Sequence, residues 1–397
     1  MSTNLLAILV VVLLFFGMSD LRAWGQAKTE SQIEPAIKIE PGALEGERKD
    51  LLARIYSAAR AGVGIKNYLI AFESIEQLVK SNSSEEKIRE RMVLLNDALY
   101  DQVAPLQYKR LRTKEKLTLD EAREYVVVLI NADRAKYQLQ PVVLDSIATK
   151  AGQAHTDEMA RLNYCAHWDV SGKKPWQRYT EVGGVCSVWE NLALHTVDHK
   201  VAEDQLFSAE SLEKIQFGFM SEKPPDDGHR LQILGPHHNK VGIGLCQRKS
   251  DAAFAQIALA QEFVNEYGEY AQIPTKISPG KAFVVSGSLI PGWKVASVEV
   301  CSESLPRPMT RGELNKTHSC RLSLTPVTKF YADEEPAAMK TWTKENKLHF
   351  EVTITPKKDW KDGLYYIMIW TLGPETDQQI LVSVRTCELK RTVQGKP

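Results

Sequence analysis

Phe219-Met220-Ser221-Glu222-Lys223-Pro224-Pro225-Asp226-Asp227-Gly228-His229-Arg230-Leu231-Gln232-Ile233-Leu234 places a carboxylate and an imidazole on either side of a Pro-Pro and Asp-Gly turn, after which an apolar helical pattern restarts. Asp226 and Asp227 stand where a helix N-terminus takes a capping side chain, and Gly228 suits a sharp turn. A His in the first turn feels the positive end of the helix dipole. That disfavours imidazolium and leaves a neutral ring able to bind a metal or donate a hydrogen bond. The plainer alternative is a capped helix carrying a surface His. What the rest of the chain brings to this turn decides between them.

Upstream, Thr118-Leu119-Asp120-Glu121 reads as a capping box that opens a helix through Tyr125, Val128, Leu129 and Ala132 to about Tyr137. Pro141 breaks the pattern, and Leu144-Asp145 begins another helix through Ala148, Ala151, Ala154, Met159 and Leu162. Val188 to Leu194 is strand-like. Downstream, Val241 to Cys246 and Phe254 to Phe263 are two β-type runs joined by a polar turn. Helices interleaved with a few strands predict helix–sheet–helix layering over about 117–268.

The flanks differ in character. Residues 46–112 repeat apolar side chains at helical spacing (Leu51, Leu52, Ile55; Leu69, Ile70, Phe72, Ile75, Leu78), and Ser83-Ser84-Glu85-Glu86 reads as a further capping box before Ile88, Met92, Leu95 and Leu99. This is a helical region, expected to serve as packing or spacer. After Pro274 short alternating strands separated by Gly, Pro and Asp turns predict a β-sandwich-like domain over 274–390, structural or adhesive in role. The whole is α+β.

The first 27 residues read as a signal peptide. Leu5 to Met18 is almost unbroken apolar sequence, shorter than the about 20 residues a membrane helix needs, and Gly25-Gln26-Ala27 offers a cleavage site. Residues 28–45, polar with Pro35 and Pro41, read as a linker. Export to a secreted or periplasmic location follows, with no stable membrane span after cleavage. Lys+Arg and Asp+Glu balance at 50 each, so there is no electrostatic case for nucleic acid. Six cysteines fit an oxidising compartment and disulfides. Three (Cys165, Cys186, Cys246) precede the last domain and three (Cys301, Cys320, Cys387) lie within it, so full pairing needs a bond across the boundary, and the sequence does not choose the pairing.

Seven of the nine His fall between His155 and His238, which makes the middle domain the place to look. His167, Glu190, Glu222 and His229 come from separate segments and, converging, would form a polar cleft or ligate a divalent metal such as zinc. No HExxH or paired CxxC forces a metal. Each has a plainer role available. His167 could anchor a loop, Glu190 could cap a helix or pair with Arg230, Glu222 could be a solvated charge, and His229 could be a structural hydrogen-bonder. His195 falls on the strand face opposite Glu190, and His237-His238, in a Pro-led loop, reads as surface.

Taken together, Ile130-Asn131-Ala132-Asp133-Arg134, Ala154-His155, His167, Glu190-Asn191-Leu192, Gly228-His229-Arg230 and Gly242-Ile243-Gly244 resemble the CAP superfamily of cysteine-rich secretory, antigen 5 and pathogenesis-related 1 proteins, in a form similar to its bacterial members. The resemblance implies an α-β-α sandwich with a cleft lined by His167, Glu190, Glu222 and His229, and His167 and His229 as metal ligands where a metal binds. Phe219 replaces the usual Trp ahead of Glu222. The segment from His167 to Glu190, with Trp176, Arg178 and Tyr179, is longer than in plant and animal forms and is expected to reshape or cover the cleft. The functions that follow are binding of a small molecule, lipid, cell-envelope component or metal; hydrolysis in the same cleft by a metal-bound water or a Glu base; or a structural role with a vestigial cleft. Ser187 is not in a Gly-x-Ser-x-Gly elbow, so no serine nucleophile stands out.

Overall fold

The computed structural model describes residues 37, 39–197, 206–249, 255–317, 319–322, 326–332, 338–374 and 377–391. The apolar leader and its cleavage site, and much of the 28–45 linker, lie outside them. No helix among the described residues is long and apolar enough to cross a membrane.

Three helices open the described chain: α1 (Glu45–Arg60), α2 (Lys66–Lys80) and α3 (Glu85–Leu111). Leu51, Leu52, Ile55, Leu69, Phe72 and Ile75 bury against Ile88, Met92, Leu95 and Leu99, the residues that the helical spacing selects. Ile70 departs from that pattern and is exposed. Ser84 caps α3 by accepting the Lys87 N–H, but Lys87 occupies the third helical position, so the reciprocal glutamate bond of a capping box is not made. The second half of α3 belongs to another core. Tyr100, Ala104 and Tyr108 bury with residues of the central unit.

That unit contains β1 (Lys116–Leu117), α4 (Leu119–Lys136), β2 (Val143–Leu144), α5 (Ser146–Leu162), α6 (Pro175–Glu181), β3 (Ser187–Val197), β4 (Phe207–Ser208), α7 (Ala209–Met220), α8 (Gly228–Ile233), β5 (Lys240–Lys249) and β6 (Ala255–Asn265). Its sheet runs β2-β5-β6-β3, with β2 parallel to β5 and the other pairs antiparallel. One face buries Leu129, Ile130, Leu212 and Ile215 of α4 and α7. The other receives α5, so the expected α-β-α layering is present. The box at Thr118 is complete: the Glu121 N–H meets the Thr118 hydroxyl and the Glu121 carboxylate takes the Thr118 N–H at 2.9 Å.

Asp145 caps α5 through the Ala148 N–H at 2.7 Å. The helix then lies almost backbone to backbone on β5. A Cβ on Gly242 would stand 2.2 Å from the Ala148 carbonyl carbon, and one on Gly244 2.3 Å from that of Gly152. The small residues Ala148, Ala151 and Gly152 on α5 match these glycines, and the close seat fixes where His155 on the same helix falls.

Two residues of the Asn-Ala-Asp-Arg run act as braces. Asn131 exchanges two hydrogen bonds with the Val142 backbone, at 2.8 and 2.9 Å. Buried Arg134 donates to the carbonyls of Gln140, Ile233, Gly235 and His238, gathering the turn after α8.

The last unit is a two-sheet sandwich built from β7 (Gly268–Tyr270), β8 (Lys276–Ile277), β9 (Phe283–Leu289), β10 (Lys294–Glu303), β11 (Pro326–Tyr331), β12 (Met339–Lys344), β13 (Lys347–Ile354), β14 (Gly363–Leu372) and β15 (Gln379–Leu389), ordered β11-β10-β14-β15-β8 and β12-β13-β9-β7. Val298, Val300, Phe350, Val352, Ile367 and Val384 share its core. It is joined to the central unit by the long segment between His167 and Glu190. The Ser383 hydroxyl donates to the Val185 carbonyl at 2.6 Å, the Thr386 N–H to the Thr180 hydroxyl at 3.2 Å, and Lys174 pairs with Glu303 at 2.5 Å.

The expected disulfides are not formed: all six cysteines are free thiols. Cys186, Cys301 and Cys387 are buried as small apolar residues. Cys301 of β10 faces Tyr366 and Cys387 of β15 faces Tyr365 on the intervening β14. Two strand spacings, roughly 9.5 Å, are beyond the reach of a disulfide.

Candidate functional site

Glu222 follows the C-terminus of α7 and His229 lies in the first turn of α8. The expectation that Asp226 or Asp227 caps α8 is not met. Asp227 is the capping residue by position but makes no side-chain cap bond. Glu222 does the work from across the turn: its Oε2 accepts the backbone N–H of His229 at 2.9 Å and, less closely, that of Arg230 at 3.4 Å. Its Oε1 takes a hydrogen bond from Nδ1 of the His229 ring. Gly228 has an ordinary backbone conformation with open space around it, so the turn does not depend on glycine there. Phe219, in the place of the usual Trp, stacks on the His229 ring with centroids 4.5 Å apart. Nδ1 is thus occupied, the ring plane is fixed, and Nε2 remains on a side chain that is 32% exposed.

The second pair has the same form. Nδ1 of His167 donates to Oε1 of Glu190 at 2.9 Å. Here the carboxylate is buried and the ring is 22% exposed. The long segment supplies a third member, because the Arg178 guanidinium meets Oε2 of Glu190 and also donates to the His167 carbonyl at 2.7 Å. Glu190 therefore pairs with Arg178, not Arg230. Arg230 is held by Asp97 of α3 at 2.8 Å and by the Tyr137 hydroxyl at 3.0 Å.

Glu190 lies opposite Glu262 in the β3–β6 register. Burial alone would raise both carboxyls. Arg178 foremost holds Glu190 well below the usual range, with His155 and the His167 hydrogen bond acting the same way. Burial foremost, then the neighbouring Glu190 charge, push Glu262 well above it. His155 lies in the same buried layer. Burial first, then the Arg178 charge, bring its imidazole down to about 4. The ring is neutral, with Nε2 against the Ala166 carbonyl at 2.8 Å.

The four expected residues are thus gathered as two His–carboxylate pairs. A bridge runs between them: Asn191, next to Glu190 on β3, donates from Nδ2 to the His229 carbonyl at 3.0 Å. Among the described residues no three His, Cys, Asp or Glu side chains form a metal cage. His195 follows the unbroken alternation of β3 to the face opposite Glu190. His238 is not on the surface. It is buried between Trp189 and Phe263, with Nδ1 against Asn265 at 2.8 Å. Arg178 and Glu262 are the members that sequence reasoning did not assign. A lone Arg in the long segment and a Gln-Glu step inside an otherwise apolar strand were the available signals.

Residues 127–262 match the family model described as the cysteine-rich secretory protein family, CAP. A similar curated protein, the uncharacterized protein YkwD of Bacillus subtilis (strain 168), is 22% identical over 218 residues, which are 55% of this chain and 75% of that one. Among solved structures, an extracellular protein containing an SCP domain from Bacillus anthracis str. Ames is 18% identical over 38% of this chain, at a TM-score of 0.28; the match spans 44% of that protein's length. An outer surface protein from Borrelia burgdorferi is 14% identical over 37% of this chain and 96% of its own, also at 0.28.

Proposed function

We propose that this chain, whose residues 127–262 form a domain of the cysteine-rich secretory protein (CAP) family, is an exported protein that binds a ligand or a divalent metal such as zinc through the imidazoles of His167 and His229. One observation carries the reading. Each ring is bonded through Nδ1 to a carboxylate, Glu190 or Glu222, which leaves Nε2 clear of that bond on a partly exposed side chain. That is the arrangement in which a second carboxylate shell orients an imidazole for a metal or a hydrogen-bond donor. On this reading the two glutamates hold the rings, water completes the shell of any cation, and the occupant is otherwise a small molecule, lipid or cell-envelope component. Export to a secreted or periplasmic location rests on the apolar run Leu5 to Met18 and the small residues after it.

Hydrolysis in the same cleft is less favoured. A carboxylate held down by Arg178 is a poor proton acceptor near neutral pH, which removes Glu190 as a general base. Calorimetric titration of the full chain with zinc tests the proposal. Binding that weakens in both His167→Ala and His229→Ala supports it. No binding, or binding indifferent to both changes, refutes the metal form and leaves an organic ligand or a structural role.

A further inference from the structure

Asp97 of α3 reaches the turn that carries Glu222 and His229. Each member of that pair is followed in sequence by a cation, Lys223 after Glu222 and Arg230 after His229. Asp97 takes both. Its Oδ1 accepts from Arg230 Nη2 at 2.8 Å, and its Oδ2 faces Lys223 Nζ at 3.4 Å. The two arms are unequal. The Lys223 side chain is 43% exposed and is shared with Asp101 at 3.8 Å, so its pairing contributes little. The Arg230 arm is nearly closed to water, with side chains 12% and 8% exposed, and is a charge-assisted hydrogen bond, the stronger kind. Arg230 also donates to the Tyr137 hydroxyl at 3.0 Å and, more loosely, to the Glu222 carbonyl at 3.4 Å. One guanidinium thus ties both ends of the turn to α3.

A second hold on the turn comes from β3, where Asn191 Nδ2 donates to the His229 carbonyl. The orientation of that amide is dictated from α4. The Asp133 carboxylate can only accept, so Gln216 turns its Nε2 to it at 2.8 Å. Gln261 then gives Nε2 to Gln216 Oε1 at 2.8 Å, and Asn191 gives Nδ2 to Gln261 Oε1 at 3.2 Å. All four side chains are buried. This support lies entirely within residues 127–262, the stretch that matches the family model. Asp97 lies outside it, on the helical region that the sequence suggests is packing or spacer. The His229 turn therefore has one hold built into the matched domain and another that exists only because α3 is present.

We propose that Asp97 is a positioning residue for the cleft: through Arg230 it holds the Glu222–His229 pair in place, so the N-terminal helices set how well His229 binds. The inference rests on the reading of His229 as a cleft ligand and extends it to a part of the chain outside the matched domain. Amide hydrogen exchange and zinc calorimetry on the full chain test it. Ala148 is the internal reference, because its N–H also opens a helix against a carboxylate, that of Asp145, but on α5. Asp97→Ala is expected to speed exchange of the His229 N–H relative to that of Ala148 by about tenfold, and to weaken zinc binding by about tenfold. Asp97→Asn, isosteric with the parent, carries the test if the alanine variant does not fold, with both effects at about threefold. Arg89→Ala breaks a pair with Glu47 at 2.7 Å that ties α3 to α1 rather than to the turn, and should change neither reading. An unchanged exchange ratio in the Asp97 variants, an equal change in Arg89→Ala, or zinc affinity unaltered by loss of Asp97 would each overturn the proposal. Should the parent bind no zinc, the metal reading falls by itself, and the exchange ratio alone decides the role of Asp97.

Discussion

Glu222 holds His229 at two points, by the backbone N–H and by ring Nδ1, so one carboxylate both starts α8 and aims its imidazole. Removing it should cost a helix cap. Glu222→Ala is expected to lower stability by about 1 kcal/mol or somewhat more. Asp227→Ala, at a position with no side-chain cap bond, should stay within about 0.5 kcal/mol of the parent. Urea unfolding of the two variants checks the contrast, and equal losses would contradict it.

Arg178 and Glu190 form a buried ion pair with a second carboxyl, Glu262, beside it. Replacing Arg178 by Met strands the Glu190 charge and should cost about 3–5 kcal/mol. Adding Glu190→Gln to Arg178→Met should restore a good part of that loss, because no charge is then left unpaired. Chemical denaturation of both variants measures the recovery; a double variant no more stable than the single one would argue against the pairing.

His238 bears on pH dependence. Burial foremost pushes its imidazole down from 6.5 to about 4. The unfolded chain takes up that proton below about 6.5 and the folded chain does not until about 4. Stability from this group is therefore complete above pH 6.5 and lost as the pH falls toward 4, by about 3 kcal/mol at the acid end. Glu262, raised by burial, acts with the opposite sign in part of this window, so the total profile mixes the two. The difference between the parent and His238→Gln, taken from urea midpoints at pH 7, 5.5 and 4, isolates the imidazole. It should shrink as the pH falls, and a constant difference would count against a neutral buried ring.

The seat of α5 on β5 gives a packing test. Gly244→Ala would drive a methyl to 2.3 Å from backbone of Gly152, and the resulting shift should cost about 2 kcal/mol or more. Gly228→Ala, with nothing within 4 Å, should be neutral or mildly stabilising. Thermal melts of the two variants separate a glycine required by contact from one that merely stands at a turn.

Much of this architecture is legible because it is written locally. The Thr118 box, the Asp145 cap and the apolar spacing of α1 to α5 each lie within a few residues, and the alternation of β13 shows its buried face directly. The His167–Glu190 and Glu222–His229 contacts join residues that the sequence singles out by the order of short motifs, none of which is specific alone. The Glu190–Glu262 pairing and the reach of Arg178 into it are long-range facts of register and loop path, which no local pattern encodes. The buried state of His238 was hidden for the same reason, since Trp189 and Phe263 cover it from two different strands. In β12 five of six residues are exposed, so its sequence carries no hydrophobic signal from which to read a strand.

The phenols of Tyr100 and Tyr108 in α3 donate to Asp133 of α4 at 2.9 and 2.6 Å, and the Gln216 amide of α7 and the Lys136 ammonium add contacts at 2.8 and 3.2 Å. Anyone trimming the polypeptide to its middle portion at about residue 112 would cut away two of these donors and leave a buried carboxylate with half its partners gone. A shortened version meant to stay soluble should therefore begin ahead of residue 85, carrying the whole of that long rod with it.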